Sequence, residues 1–137
     1  SRGITDAGLF TKHRIGYVDG SLLKALPKTG KIIDDLKTLG VLLDNGSERF
    51  KGCVVFPVLD VEGNITTLYG RSVSCRKHIY LPERSTGLFN VGMIETYPEI
   101  VLVESCIDGL SLEMAGINNA VSIQSTNGLS DKYLALF

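Results

Sequence analysis

Two carboxylates spaced four residues apart, Glu104 and Asp108, stand where this chain is best placed to do chemistry. Glu104 follows directly on Glu99-Ile-Val-Leu-Val103, a short apolar run rich in β-branched residues that reads as a strand covered on both faces. A helical pattern begins within two residues of it. In open α/β sheets ligands sit outside the carboxyl ends of the strands, so Glu104 occupies the expected position of a site. Asp108 falls in the first helical turn, and the two carboxylates could line one edge of a cleft. Each has a plain alternative. Glu104 could be a solvated loop carboxylate. Asp108 alone reads as a first-turn helix acid, favoured by the helix dipole by roughly 0.3–1 kcal/mol when exposed.

The segment from Glu99 to Phe137 reads as strand, helix, strand, helix. In its first helix Ile107, Leu110, Ser111 and Met114 fall at i, i+3, i+4 and i+7, predicting one mostly apolar stripe against the sheet. Gly116 follows as the residue able to take the left-handed conformation that ends a helix. Upstream, Thr5 is the expected N-cap of a short helix running to about Arg14 and ended by Ile15-Gly16-Tyr17. Ser21 is the expected cap of a second, stopping before Pro27. Lys31 to Leu39 carries a helical stripe of Ile32, Ile33, Leu36 and Leu39, with Gly40 beyond its end. The period then changes. Val41–Leu43, Arg49–Phe50, Val54–Leu59, Ile65–Arg71 and Lys77–Leu81 read as β-strands, with turns at Asn45-Gly46 and Glu62-Gly63-Asn64. Pro57 within the third of these argues for an edge or a bulge, and Gly87–Pro98 is a connector with room for a helical turn.

At 137 residues and 14.9 kDa the chain suits one domain, or two small subdomains sharing a core. Its 44% hydrophobic content is too high for disorder. A net charge of −1 gives no global basic field, so any nucleic-acid contact must come from a local patch. Arg71, Lys77, Arg76, Arg49 and Lys51, clustered in the β segment, are the candidates; solvated strand faces are the plain alternative. No apolar run is long enough for a membrane helix and no signal peptide is visible. The three cysteines, Cys53, Cys75 and Cys106, are scattered without a Cys-x-x-Cys pair, so no zinc site is expected. A reducing cytoplasm is the expected compartment. Cys106 reads as a packing residue, since no histidine partner is apparent. His13 and His78 have no metal-ligand spacing and read as surface or packing residues. Tyr17, Tyr69 and Tyr80 could stack on bases, though core packing is the simpler expectation.

The run VLVESCIDGLSLEMAGINNAVSIQST, residues 101–126, resembles the opening of a TOPRIM domain. This is the metal-binding module of DnaG-type bacterial primases, of type IA and II topoisomerases and of some nucleases. The primase form runs apolar strand, Glu-Gly-x-x-Asp, apolar helix, Gly-Ile-x-x-Ala-Val, then Gly-Thr. Glu104, Asp108, Gly116-Ile117, Ala120-Val121 and Thr126 stand at the matching positions. Ser105 and Ser125 replace the two glycines that flank this pattern. Ser105 puts a side chain where bare backbone would let a phosphate or metal-bound substrate approach. Upstream, Arg2-Gly3-Ile4, Phe10 with Ile15-Gly16-Tyr17, Phe50 with Phe56-Pro57, Asp60 to Gly63, Gly70-Arg71 and Tyr80-Leu81 resemble the smaller subdomain that precedes TOPRIM in primases. Cys53 stands at a position that is often arginine. The run HIYLPERSTGLFN (His78 to Asn90) is more similar to plasmid- or transposon-borne primase relatives than to the housekeeping enzyme.

The resemblance implies an architecture in two parts. Residues 1–92 would form an α+β N-terminal subdomain of short helices and an antiparallel sheet. Residues 93–137 would begin an α/β, Rossmann-like TOPRIM domain, with the Asp-x-Asp motif expected beyond Phe137. It implies a DNA primase core that synthesises short RNA primers on single-stranded DNA by metal-dependent nucleotidyl transfer. The implied partners are the template, ribonucleoside triphosphates and a replicative helicase; the implied cofactor is Mg2+ or Mn2+. In those roles Glu104 is the metal ligand or general acid/base and Asp108 a supporting ligand. Arg71 carries the Gly-Arg match. Thr126 and Asn127, at the end of the next strand, could reach a nucleotide phosphate, a loop cap being the plain alternative. Without the Asp-x-Asp anchor, residues 1–137 alone are expected to bind magnesium weakly and to synthesise nothing. Two alternatives stay open: another TOPRIM enzyme, against which the upstream match argues, and a non-catalytic nucleic-acid-binding relic of a primase.

Overall fold

The computed structural model describes residues 3–82, 87–123 and 131–135. The elements run α1 (Ala7–Lys12), β1 (Gly16–Tyr17), α2 (Leu22–Ala25), α3 (Lys31–Thr38), β2 (Cys53–Leu59), β3 (Ile65–Ser72) and β4 (His78–Tyr80). They continue with α4 (Met93–Thr96), β5 (Val101–Val103), α5 (Cys106–Met114), β6 (Ala120–Ser122) and α6 (Asp131–Leu134). One sheet has strand order β1-β2-β3-β4, and β5 and β6 form a second, parallel pair. This is the expected α+β arrangement of short helices and antiparallel strands followed by a parallel β-α-β unit. Among the described residues no helix is long and apolar enough to cross a membrane.

The departures from expectation have local causes. Asp6 caps α1 in place of Thr5, its carboxylate accepting the amides of Gly8 at 2.7 Å and Leu9 at 3.4 Å. The helix stops at Lys12 because Arg14 takes a left-handed φ of 53°. Ile15-Gly16-Tyr17 is more than a helix stop: Gly16 and Tyr17 pair antiparallel with Val55 and Val54. Val41–Leu43 and Arg49–Phe50 are not strands; a single bridge, Leu42 to Glu48, is all the pairing between them. The Asn45-Gly46 turn takes over there, with Asn45 Oδ1 accepting both the amide and the hydroxyl of Ser47. Ser21 makes no side-chain cap on α2; buried Glu48 does that work, its Oε1 accepting the Leu23 amide at 3.1 Å. Pro57 lies within β2 just past the two residues that pair with β1, where its missing N–H costs no bond on that side.

The chain gathers into two compact units, neither of them a continuous stretch. One comprises Ile15–Phe56 and Leu68–Arg84. Its interior is Leu42, Phe50, Cys53, Phe56 and Tyr69, with the Tyr69 ring 5.6 Å from Phe56 and 5.1 Å from Tyr80. The other comprises Ser1–Arg14, Pro57–Thr67 and Ser85–Phe137. Its interior is built on Val58, Leu88, Phe89, Val91, Cys106, Leu110, Ala120 and Val121. A bridge from Leu59 to Leu88 and another from Phe89 to Ser122 stitch its segments together.

Candidate functional site

Glu104 leaves the end of β5 with its side chain exposed, as its position predicts. The backbone beneath it is held firmly. Val103 pairs with Ser122 in the parallel ladder, and the fully buried Ser122 hydroxyl donates to the Glu104 carbonyl at 3.3 Å. Ser105 then caps α5: its oxygen accepts the Asp108 amide at 3.2 Å, and its hydroxyl donates to Asp108 Oδ2 at 2.6 Å. The serine at the family's glycine position thus binds the second carboxylate to the helix start. Asp108 is both a first-turn acid and an oxygen donor, its Oδ2 accepting the Ser105 hydroxyl.

The strand is less enclosed than its composition suggests. Val101 and Leu102 are 39% and 43% exposed, because β5 pairs only with β6 among the described residues. The buried face of α5 is also set one residue earlier than the Ile107 stripe. Cys106, Gly109, Leu110 and Glu113 point inward, while Met114 is exposed. The cost of placing a carboxylate on that face is met by α1. Lys12 Nζ forms an ion pair with Glu113 Oε1, and His13 Nε2–H donates to Oε2 at 2.7 Å. Burial alone would push the Glu113 carboxyl up; the hydrogen bonds and charges of Lys12 and His13 outweigh it and hold the carboxyl below its ordinary value. His13 is a packing residue with a task, its ring 4.8 Å from Phe89. Cys106 is inert: burial pushes its thiol up to about 12.

The basic residues lie on the other unit. Lys51, Arg76 and Lys77 are exposed, while Arg49 and Arg71 are half-buried. Arg49 Nε donates to the Gly40 carbonyl at the end of α3. With Lys77, His78, Tyr80 and Pro82 it also lines a cavity of about 450 Å³. Arg71 donates to His78 Nε2. A guanidinium is a donor only, so Nε2 must be bare and the proton sits on Nδ1, shared with the Tyr69 hydroxyl at 2.8 Å. Burial and then the Arg71 charge hold His78 below its ordinary value, in the neutral form. Arg2, Thr126 and Asn127 lie outside the described residues.

An exposed glutamate and a tethered aspartate offer hard oxygen donors suited to magnesium, which takes one or two carboxylates and keeps several waters. Among the described residues no group of three or more His, Cys, Asp or Glu side chains is placed to hold an ion.

No family model matches the chain. The DNA primase of Staphylococcus aureus (strain COL) is 28% identical over a 152-residue alignment that covers 97% of this chain and 25% of the relative. A DNA primase domain from Pseudomonas aeruginosa is 26% identical, with a TM-score of 0.76 over 98% of this chain and 47% of that one. The DnaG primase catalytic domain solved bound to ssDNA shares the fold, with 24% identity and a TM-score of 0.71 over 88% of this chain and 44% of that one. The chain is homologous to DnaG-type primases. It spans about a quarter of the length of the curated primases it matches. Within that homology Glu104 and Asp108 stand at the end of a parallel strand and in the first turn of the following helix, and the Gly70-Arg71 pair lies on β3.

Proposed function

We propose that the chain is part of a DNA primase core that makes short RNA primers on single-stranded DNA, in the cytoplasm and of the kind carried by mobile elements. Residues 1–92 would supply the N-terminal subdomain and residues 93–137 the first part of the TOPRIM domain. The observation that carries this is Glu104: an exposed carboxylate at the carboxyl end of a parallel strand, on a backbone pinned by the buried hydroxyl of Ser122. Glu104 and Asp108 would hold Mg2+ or Mn2+, which when bound neutralises charge developing on the phosphates. Glu104, exposed at the strand end, would also accept or return a proton at its carboxylate oxygen. Arg71, Lys77, Arg76, Arg49 and Lys51 would contact the template backbone, with Tyr80, which lines the cavity shared by Arg49 and Lys77, as a stacking surface. Thr126 and Asn127 would reach a nucleotide phosphate, and a replicative helicase is the expected further partner.

One observation favours a second reading. Ser105 engages Asp108 Oδ2 at 2.6 Å, which would weaken ion binding and suits a nucleic-acid-binding relic. Primer synthesis by the natural-length gene product on single-stranded DNA, with labelled ribonucleotides and Mg2+ or Mn2+, separates the two. Short RNA products, reduced at least ~100-fold in Glu104→Gln, are the expected result. Retention of single-stranded DNA with no products would establish the relic, and full activity of the variant would remove Glu104 from the site.

A further inference from the structure

Glu113 is the least expected feature of α5. Replacing a buried ion pair with apolar side chains of similar volume is commonly neutral or stabilising, so packing alone gives no reason for a carboxylate on this face. Fixing the position of one element against another is the best-attested use of such a group. We infer that Glu113, gripped by Lys12 and His13, is a positioning residue for Glu104. Two routes connect them. The first is α5 itself, held by Glu113 in its last turn and starting at the Ser105 cap beside Glu104. The second runs through His13, whose ring packs on Phe89. Phe89 and Ser122 exchange both backbone hydrogen bonds at 3.1 Å, and the Ser122 hydroxyl donates to the Glu104 carbonyl. His13 takes part in both routes: it bonds the carboxylate that anchors the helix and touches the residue that anchors the strand. The helix and the strand that meet at Glu104 are thereby both set by one buried charge.

This rests on Glu104 as a divalent-ion ligand, and its test must tell the failure of one from the failure of the other. The 15N-labelled chain is titrated with Mn2+ alone, and paramagnetic broadening is followed at the amides of residues 104–108. The wild type and Glu104→Gln are compared with Glu113→Leu, Glu113→Gln and His13→Phe, which keeps a ring against Phe89. The expected result is broadening centred on Glu104 in the wild type and its loss in Glu104→Gln. Each Glu113 and His13 variant should need roughly 10-fold more Mn2+, the usual effect of losing a group that orients a ligand, with resonances of residues 53–56 unmoved. Because they act on one contact, Glu113→Gln and His13→Phe together should do no more than either alone. If Glu104→Gln abolishes broadening while all three Glu113 and His13 variants match the wild type, the ion pair is structural only and the inference is overturned. No selective broadening in the wild type would overturn the reading of Glu104, and the inference with it.

Discussion

The Lys12–His13–Glu113 cluster should respond asymmetrically to loss of its two halves. Glu113 has a side chain only 5% exposed, as does His13 at 7%, whereas Lys12 is 49% exposed. Removing the bases with Lys12→Met/His13→Phe strands a buried carboxylate, at a cost of about 3–5 kcal/mol. Glu113→Leu strands much less, since Lys12, half exposed, can turn to water. One ring nitrogen loses its partner, costing about 1–3 kcal/mol, offset in part by burying the leucine. A net loss of no more than about 1–2 kcal/mol is expected. For a chain of 137 residues the double variant should melt roughly 10–20 °C below the wild type, and Glu113→Leu within about 8 °C of it. Thermal unfolding followed by circular dichroism at pH 7 measures both. The pH dependence is a second check. Glu113 titrates below its ordinary 4.5 in the fold, so its contribution is complete above 4.5 and is lost as pH falls through the depressed value. The gap between wild type and double variant should therefore close in acid. Equal losses for the two variants at pH 7, or a gap that does not narrow as pH falls below 4.5, would refute the assignment of a paired, ionised Glu113.

The thiols should separate cleanly. Cys75 is exposed and held below its ordinary value by the Ser72 hydroxyl and the Lys77 amide, so it should react with a disulfide reagent in the native state. Cys53 and Cys106, buried and pushed up, should react only after unfolding; a second fast thiol would contradict this. Gly70→Ala should cost about 1–3 kcal/mol in urea unfolding, because the new Cβ would lie 2.5 Å from Phe50 Cδ1 and 3.0 Å from Cε1; an unchanged midpoint would show that Phe50 can move.

Features set by nearest neighbours in sequence were legible. The stop of α3 at Gly40, with φ 77°, and of α5 at Gly116, with φ 87°, followed from glycine just beyond an apolar stripe. The placement of Glu104 followed from the strand-to-helix switch around it. The Gly70-Arg71 match acquires a physical reason in the structure, since Gly70 is where the Phe50 ring packs and any side chain would collide with it. Arg71 then meets His78 across the β3–β4 ladder, where the two residues are register partners. The short strands were harder. Two-residue β1 has no period to detect, and Val41–Leu43 has the composition of a strand but a turn too close behind it to extend the pairing beyond one bridge.

What sequence reading missed depends on partners delivered from far along the chain. Starting the α5 stripe at Ile107 placed Met114 inside and Glu113 outside, the cheaper choice for an isolated helix, since a carboxylate carries a desolvation penalty that methionine does not. The stripe that begins at Cys106 is equally periodic, but it puts Glu113 on the buried face. Its penalty is offset by Lys12, which lies 101 residues away in sequence and so contributes nothing to any local pattern. Even so, a signal was present. Lys12, His13 and Arg14 form a basic run at the end of a helix whose six residues include no buried side chain. Such a helix gains little from its own packing and must be held by its ends. A basic helix end lacking a burial motive and an apolar helix with one ill-placed carboxylate are complementary problems. Pairing them would have located the contact that joins the first helix to the one following Glu104.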